Sequence, residues 1–414
     1  MVIGMQPSKS SKHSLYIPPL DARNVVLGVT GSIAAYKAAD LASKLVQAGA
    51  NVEVIMSTSA AKFIGKSTFA ALTHNKVTTG LWEANSELNI NHVALALRAD
   101  CLLIAPATAN TLAKLALGIS DDALIATYLA TNAPTIVAPA MDADMFANPS
   151  TQRNLITLKN NGVTIAGPSE GRLASGLTGI GRMIDTEHLV GLVRKAIGQQ
   201  GDYMGRKVVV SAGGTRQSID PIRFISNHST GKMGHSIAEA ARDRGADVTL
   251  VTAAEIPKPA GIKVISASTV EDMKNAIVPA CADSDLLVMA AAISDFSPNQ
   301  VDNYKIKKDG SGTMSLELSE VEDFMPLANG PRLVKVAFAA ETNDLEKNAK
   351  AKVNPKGAAF VVANNVTETD SGFGTETNRV TFVDAEGNLD RQPLMSKFGV
   401  ANAILDRALP LLSK

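Results

Sequence analysis

Glycine, hydroxyl, amide and imidazole groups interrupt otherwise apolar stretches at spaced places in this 414-residue chain. Gly31-Ser32-Ile33-Ala34-Ala35 follows an aliphatic run, so a strand there ends in a turn whose free backbone N–H groups face an anion. Ser57, Thr58 and Ser59 follow the next such run. Asn91-His92-Val93 interrupts another such stretch with an amide and an imidazole, the side chain that ordinarily titrates nearest neutral pH. Two more apolar runs end in Thr108-Ala109-Asn110-Thr111 and in Pro139-Ala140-Met141-Asp142-Ala143-Asp144-Met145. The stretch 171–183, with Arg172, Ala174, Ser175 and Arg182, is too glycine-rich for an ordinary element and reads as a mobile flap. In the second half, the lysines of Lys305-Ile306-Lys307-Lys308, at their spacing after Asp295, read as phosphate-binding groups rather than a solvated face.

These residues need a scaffold, and the sequence repeats one. Residues 24–31 lead into an alanine-rich helical pattern that stops at Gly49 before Asn51-Val52-Glu53-Val54-Ile55. Residues 207–214 lead, after a longer loop, into a second such pattern that stops at Gly245 before Asp247-Val248-Thr249-Leu250-Val251. Strand, glycine turn, helix, glycine stop, strand is the first crossover of a doubly wound sheet. The chain is therefore α/β, with two doubly wound, Rossmann-like domains of mainly parallel strands. Further strands are expected at 101–105 and 135–138, and at 285–291, 334–339 and 358–363, with a hairpin from 379 and a closing helix over 397–409. Boundaries follow: a flexible tail over 1–20, one domain over 21–197, a linker near 198–202 and a second domain over 203–414.

Hydrophobic residues make up 45% and aromatics 4%, so the cores are aliphatic, as helices on a parallel sheet require. Lys+Arg and Asp+Glu number 40 each, which argues against a general nucleic-acid or membrane-surface role and confines any anion site to a local cluster. Cys101 and Cys281 lie beside aliphatic runs and read as buried thiols in a reducing, cytoplasmic setting, without zinc spacing. Residues 1–20 lack the apolar core of a signal peptide. The uncharged run 123–141 contains Asn132, Pro134 and Pro139 and divides into a buried helix, a turn and a strand rather than a membrane span. Gly28-Val29-Thr30-Gly31 does not fit the dinucleotide fingerprint, and Ser226 stands where a P-loop ending at Gly231-Lys232 needs glycine.

Taken together and in order, the motifs of residues 24–190 resemble the flavin-dependent cysteine decarboxylase family, specifically the phosphopantothenoylcysteine decarboxylase half of bifunctional coenzyme A enzymes. The resemblance implies that Gly31, Ser32 and Ile33 hold the FMN phosphate and that Ser57, Thr58 and Ser59 bind the flavin's polar tail. It implies that Thr108, Ala109, Asn110 and Thr111 lie along the isoalloxazine, with Ala140 also at the cofactor. His92 would be the catalytic base, with Met145, Arg172 and Ala174 at the substrate. FMN would oxidise the substrate thiol to a thioaldehyde, the electron sink for loss of CO₂. Two positions depart from the pattern: Asp142 stands where the family commonly has Asn, and Ser175 where it has Cys. A serine hydroxyl is far less acidic than a thiol, so Ser175 can only relay a proton. Asp142 is then either a protonated donor, its pKa raised beside a substrate carboxylate, or an acceptor from a substrate amide.

From Ser211 onward the chain resembles the phosphopantothenate–cysteine ligase half of the same enzymes, on Asp220-Pro221-Ile222-Arg223 through Gly234, on 290–296, on Lys305–Lys308 and on Ala337-Phe338-Ala339-Ala340-Glu341-Thr342. The resemblance implies that 4′-phosphopantothenate attacks CTP to give an acyl-cytidylate, which L-cysteine then captures, with Mg²⁺ held through the nucleotide phosphates. It assigns Asn227 to the acyl-cytidylate step, Lys305 to the triphosphate, and Asp295, Phe338, Lys352 and Lys356 to the CTP pocket. The family's Asn-Pro-Asp segment appears here as Val321-Glu322-Asp323, which leaves the choice of base open. It further implies homo-oligomers with trimeric contacts of the flavin domain and dimeric contacts of the ligase domain. A ligase whose first domain is only an FMN-binding scaffold or regulatory subunit, and a different flavin or nicotinamide oxidoreductase, are the competing readings.

Overall fold

The computed structural model describes residues 19–81, 91–308 and 312–412. Two compact units divide the chain between residues 199 and 200.

The first unit runs β1 (Asn24–Val29), α1 (Ala35–Gln47), β2 (Asn51–Met56), α2 (Lys66–Thr73), α3 (Asn91–Arg98), β3 (Cys101–Ala107), α4 (Ala109–Leu117), α5 (Ala123–Ala130) and β4 (Thr135–Pro139). It continues through α6 (Ala143–Ala147), α7 (Pro149–Asn160), β5 (Thr164–Ile165), the hairpin β6 (Ser169–Arg172) and β7 (Thr178–Arg182), and α8 (Thr186–Gly198). The five-stranded sheet has the order β2-β1-β3-β4-β5, and every pair is parallel. All residues of β3 are buried, because helices cover both faces. On one face the small, helix-favouring side chains Ala35, Ala38 and Ala42, with Leu41 and Leu45, bring α1 onto Leu27 and Leu103. On the other face Leu112 and Leu124 pack against Val26 and Ile104. The run 123–141 forms α5, a turn and β4, and among the described residues no helix is long and apolar enough to cross a membrane.

The second unit opens with β8 (Lys207–Ala212), β9 (Arg216–Ser218), β10 (Phe224–Ser226), α9 (Lys232–Asp243), β11 (Asp247–Thr252), β12 (Lys263–Ser266), α10 (Val270–Cys281) and β13 (Leu286–Met289). It continues with β14 (Phe296–Pro298), β15 (Leu318–Glu320), β16 (Val334–Glu341), α11 (Leu345–Val353), β17 (Phe360–Asn365) and β18 (Thr377–Asn378). It closes with β19 (Val380–Asp384), β20 (Leu389–Arg391), β21 (Met395–Ser396) and α12 (Lys397–Ala408). The eight-stranded sheet has the order β12-β11-β8-β13-β16-β17-β19-β20, parallel as far as β17 and antiparallel at β19 and β20. Pairs β9–β10, β14–β15 and β18–β21 form separate two-stranded ribbons.

Two boundaries differ from expectation. Of the tail expected over 1–20, residues 1–18 lie outside the described residues, but Leu20 is 1% exposed and its N–H bonds Ala48 O at 2.8 Å. An apolar side chain placed at the end of α1 joins that helix's core instead of extending the tail. The expected linker near 198–202 is shorter, since Asp202 pairs with Arg244 at 2.6 Å and so belongs to the second unit. Tyr203 beside it is fully buried beneath the Arg244 guanidinium, 5.0 Å from the ring centroid, and its hydroxyl donates to Leu405 O at 2.6 Å.

This anchor gives a stability prediction. Leu405 O also accepts from the C-cap N–H of α12, so Tyr203→Phe is expected to cost only about 0.5–1.5 kcal/mol. Tyr203→Ala empties the site under Arg244 and is expected to cost about 3–5 kcal/mol. Urea unfolding of the full chain checks both; equal losses would show that the hydroxyl, not the ring, anchors α12.

Candidate functional site

In both units the turns at the carboxyl ends of the parallel strands gather around the point where strand order reverses. In the first unit that point lies between β1 and β3. Thr30, 1% exposed, donates its hydroxyl to Pro106 O at 2.7 Å and accepts from Thr108 N at 3.1 Å. The next residue, Gly31, passes so close to the turn after β2 that a Cβ would lie 2.4 Å from Ser59 Cβ and 3.1 Å from Ser59 C. Only glycine fits there. Thr108 caps α4, accepting from Thr111 N at 3.3 Å, while α1 starts at Ala34 without a side-chain cap. Its first N–H groups are largely satisfied locally: Ala34 N bonds Ser32 Oγ at 3.2 Å, Ala35 N bonds Ser32 O at 2.9 Å and Lys37 N bonds Ala34 O at 3.0 Å.

The result is a cleft of about 560 Å³. It brings together Gly31, Ser32, Ser57, Thr58, Ser59, Thr108, Ala109, Asn110, Thr111, Ala140 and Met145. Ile33 does not join them: it is 60% exposed and is not among the lining residues. His92 is half-buried in the first turn of α3 and does not line the cleft, and the side chain of Asn91 before it lies outside the described residues. The cleft has further lining groups with no signal in the motifs: Lys114, held by Asp121 at 2.7 Å, and Asp122. Lys114 follows Asn110 by one helical turn, a spacing that could have pointed to it.

The flap of residues 171–183 is the β6–β7 hairpin and its tip. It docks on the turn after β4: Met141 N bonds Gly181 O at 3.0 Å, and a Cβ on Gly181 would come within 2.2 Å of Met141 O. Arg172, Ala174 and Ser175 are exposed on it. Ser175 Oγ donates to Asp142 Oδ2 at 2.6 Å, which brings the two departures from the family pattern into direct contact. Asp142 also caps α6, accepting from Asp144 N at 3.4 Å. The Ser175 hydroxyl first, and the backbone N–H groups second, hold the Asp142 carboxyl below the usual carboxylate range. In this chain by itself Asp142 is therefore an acceptor, and the raised-pKa donor does not form without a second negative charge beside it. Cys101 is buried in β3 and its thiol is pushed up to about 12, which leaves it inert.

In the second unit the same device sits between β8 and β13. Thr215, fully buried, donates to Ser294 Oγ at 3.0 Å and accepts from Ser294 N at 2.9 Å. Asn227 Nδ2 donates to Ala292 O at 3.1 Å and Ile293 O at 3.3 Å, leaving the amide oxygen for a ligand. The adjoining cleft of about 400 Å³ holds Asn227, Asp295, Phe338, Lys352 and Lys356 together. Lys352 pairs with Glu341 and Lys356 with Asp323, both at 2.6 Å, and the departing segment Val321-Glu322-Asp323 forms part of its wall.

Lys305 does not line this cleft and is exposed. Its segment is held elsewhere: the buried Asp220 carboxylate accepts from Ile222 N and Arg223 N, both at 2.8 Å, from the Arg223 guanidinium and from Ile306 N at 3.2 Å. Arg223 in turn donates to Ile306 O at 3.0 Å. The Arg223 guanidinium and these N–H groups hold the Asp220 carboxyl far below the usual range.

A family model described as Flavoprotein matches residues 16–198, and one described as DNA/pantothenate metabolism flavoprotein C-terminal domain matches residues 203–411. The chain is 41% identical over 398 residues to the coenzyme A biosynthesis bifunctional protein of Bacillus subtilis (strain 168), covering 95% of this chain and 98% of that one. It is 36% identical over 398 residues to the protein of the same name from Vibrio vulnificus (strain YJ016), covering 95% and 99%. It is also 41% identical over 355 residues to a cysteine/cysteine sulfinic acid decarboxylase from an unknown prokaryotic organism, covering 83% and 98%.

The close approach at Gly31 yields a direct test. Gly31→Ala forces its turn away from Ser59, so FMN is expected to bind at least about 10-fold more weakly, a loss of roughly 1.4 kcal/mol. Quenching of flavin fluorescence on titration measures it; unchanged affinity with an unchanged circular dichroism melt would show that this turn does not hold the cofactor.

Proposed function

Because the chain belongs to the family of bifunctional coenzyme A biosynthesis proteins, we propose that it carries out two successive reactions on one small-molecule scaffold. The second unit joins L-cysteine to 4′-phosphopantothenate using CTP, and the first decarboxylates the resulting 4′-phosphopantothenoylcysteine to 4′-phosphopantetheine. The observation that carries this reading is the similarity to bifunctional relatives along 95% of the chain, spanning both clefts.

The first cleft fits FMN. Its Gly31 turn would be filled by a Cβ, the Gly31–Ser32 turn before α1 lines the cleft where one phosphate would sit, and hydroxyls of Ser57, Thr58 and Ser59 suit a ribityl chain. Bound there, a flavin supplies two-electron oxidation and reduction at the thiol end of the substrate. The protein's part is placement and proton handling. Asn110, exposed in the first turn of α4, offers its amide to the ring edge, and His92 would take the substrate's thiol proton. Ser175, polarised by the ionised Asp142, would pass a proton back while fastening the hairpin over the cleft.

In the second unit the substrate carboxylate attacks the α-phosphate of CTP and pyrophosphate leaves. The cysteine amine then attacks the acyl carbon and CMP leaves. Lys352 and Lys356 would neutralise the departing phosphates, Phe338 and Asp295 would hold the nucleoside, and the anchored Asn227 would present its amide oxygen to the acyl-cytidylate step. Lys305 would join the triphosphate only with its segment repositioned from the Asp220–Arg223 anchor. Mg²⁺ enters this reading on the nucleotide's phosphates. Self-association belongs to it too: exposed Tyr36 and Leu97 in the first unit, and Phe224 and Phe296 in the second, are apolar surface that trimeric and dimeric contacts would cover.

The activity test supplies 4′-phosphopantothenate, L-cysteine, CTP and Mg²⁺ and weighs the products; 4′-phosphopantetheine is expected, from a yellow protein. Asn227→Ala is expected to slow ligation by about 10²-fold or more while decarboxylation of supplied 4′-phosphopantothenoylcysteine stays within about twofold, because the two clefts belong to separate units. Equal loss of both activities would refute the two-site reading.

The hairpin latch has its own signature. The Asp142 pKa is depressed in the folded chain, so its bond to Ser175 is complete above the ordinary carboxylate range and is lost only as pH falls through the depressed value. Flavin reoxidation is therefore expected to show no Asp142-linked pH step between about pH 5 and 8 in the wild type. Ser175→Ala is expected to slow that phase by about 10-fold or less in stopped-flow absorbance, the scale of one relay hydrogen bond. Wild-type flavin that is reduced by substrate but never reoxidised would refute the relay.

A further inference from the structure

Lys397 begins α12, a helix of 12 residues, and is 5% exposed, yet it lines the second cleft. Its ammonium donates to Gly372 O at 2.8 Å and to Thr377 O at 3.4 Å. Among the described residues no carboxylate lies within 4 Å of it. The other lysines of the cleft differ in this respect: Lys352 has Glu341, Lys356 has Asp323 and Lys232 has Glu376.

Burial disfavours a charge in the free fold: the ammonium is desolvated at the positive end of a helix, and the more distant Glu376, which outweighs the like charge of Lys232, does not make up for it. Burial accordingly pulls its pKa below the usual lysine range. A lowered lysine pKa means that the charged form costs stability below that pKa, a cost that disappears as pH rises through it. Thr375 Oγ1 lies 3.2 Å from Gly372 O and 2.8 Å from Thr377 O, but a hydroxyl donates one hydrogen, so it and the ammonium share the two carbonyls.

We propose that Lys397 is a further binding residue of the ligase cleft, its ammonium being the buried counter-charge for a phosphate group of the substrate bound there. The proposal rests on the ligase reading of this cleft. Two carbonyl bonds hold the ammonium at the wall, and its remaining N–H is available to a phosphate oxygen. The arriving anion removes the desolvation cost that the free fold carries, so the charge strengthens binding more than an exposed lysine would.

The experiment uses the full chain and two variants, Lys397→Met and Lys397→Gln, the second retaining an N–H for the carbonyls without the charge. Calorimetry measures CTP, 4′-phosphopantothenate and inorganic tripolyphosphate, after ligand-free circular dichroism melts. Lys397→Gln, which keeps a donor for the carbonyls, is expected to melt at or above the wild type, and both variants are expected to bind CTP and tripolyphosphate about 10- to 100-fold more weakly, as loss of one charge-assisted bond implies. Weakening confined to 4′-phosphopantothenate would assign the charge to that substrate's phosphate instead. If Lys397→Gln binds all three as the wild type does, Lys397 is only a loop clamp and the proposal falls, whatever becomes of Lys397→Met. If the wild type binds tripolyphosphate through Lys397 but neither CTP nor 4′-phosphopantothenate, the ligase reading falls and the anion site stands.

Discussion

One buried hydroxyl in each unit joins the ends of two neighbouring parallel strands, and the clefts are built around those two joints. Thr30 bridges β1 to the turn after β3, and Thr215 bridges β8 to the turn after β13. Strand ends at a switch point splay apart because their helices leave on opposite faces, and backbone groups exposed by the splay need partners. A threonine supplies a donor and an acceptor in one small group. With the ends tied, the Gly31 turn can sit against Ser59, and Asn227 can reach Ala292 and Ile293.

The clefts solve different electrostatic problems. The first has an anion-sized turn, hydroxyls, an amide and apolar groups, and its one lining lysine, Lys114, is matched by Asp121, which suits a cofactor held largely by shape and hydrogen bonds. The second must accept several negative charges, and it stores its cations against carboxylates until they arrive. Paired lysines cost the free fold little, since each charge is matched. Lys397 is the exception: backbone carbonyls, not a paired carboxylate, hold its ammonium at the wall.

Where this chain departs from its family's pattern, the departures are coupled in space. Asp142 and Ser175 are 33 positions apart in sequence and share one hydrogen bond. In the other departing segment Val321 and Glu322 are the changed residues, and the retained Asp323 is the partner of Lys356. The Asp142–Ser175 change therefore alters proton handling at the first cleft while leaving the strands that position it untouched.

The scaffold was legible in the sequence because its signals are local. Aliphatic runs, glycine stops and alanine-rich periodicity set β1, α1, β2 and their echoes in β8, α9 and β11, since hydrophobic period and chain-terminating glycines act over a few residues. Most of the flavin-side residues were legible too, because they sit in turns fixed by those same strands. What the tertiary structure alone decided are relations between distant segments. It left Ile33 out of the cleft lining, joined Asp142 to Ser175, held the Lys305 segment at the Asp220–Arg223 anchor away from the second cleft, and placed Lys397 in that cleft. Spacing along a chain determines which residues share a turn or a helix face; which side chains meet across a cleft depends on packing and on charge balance, which no single segment carries.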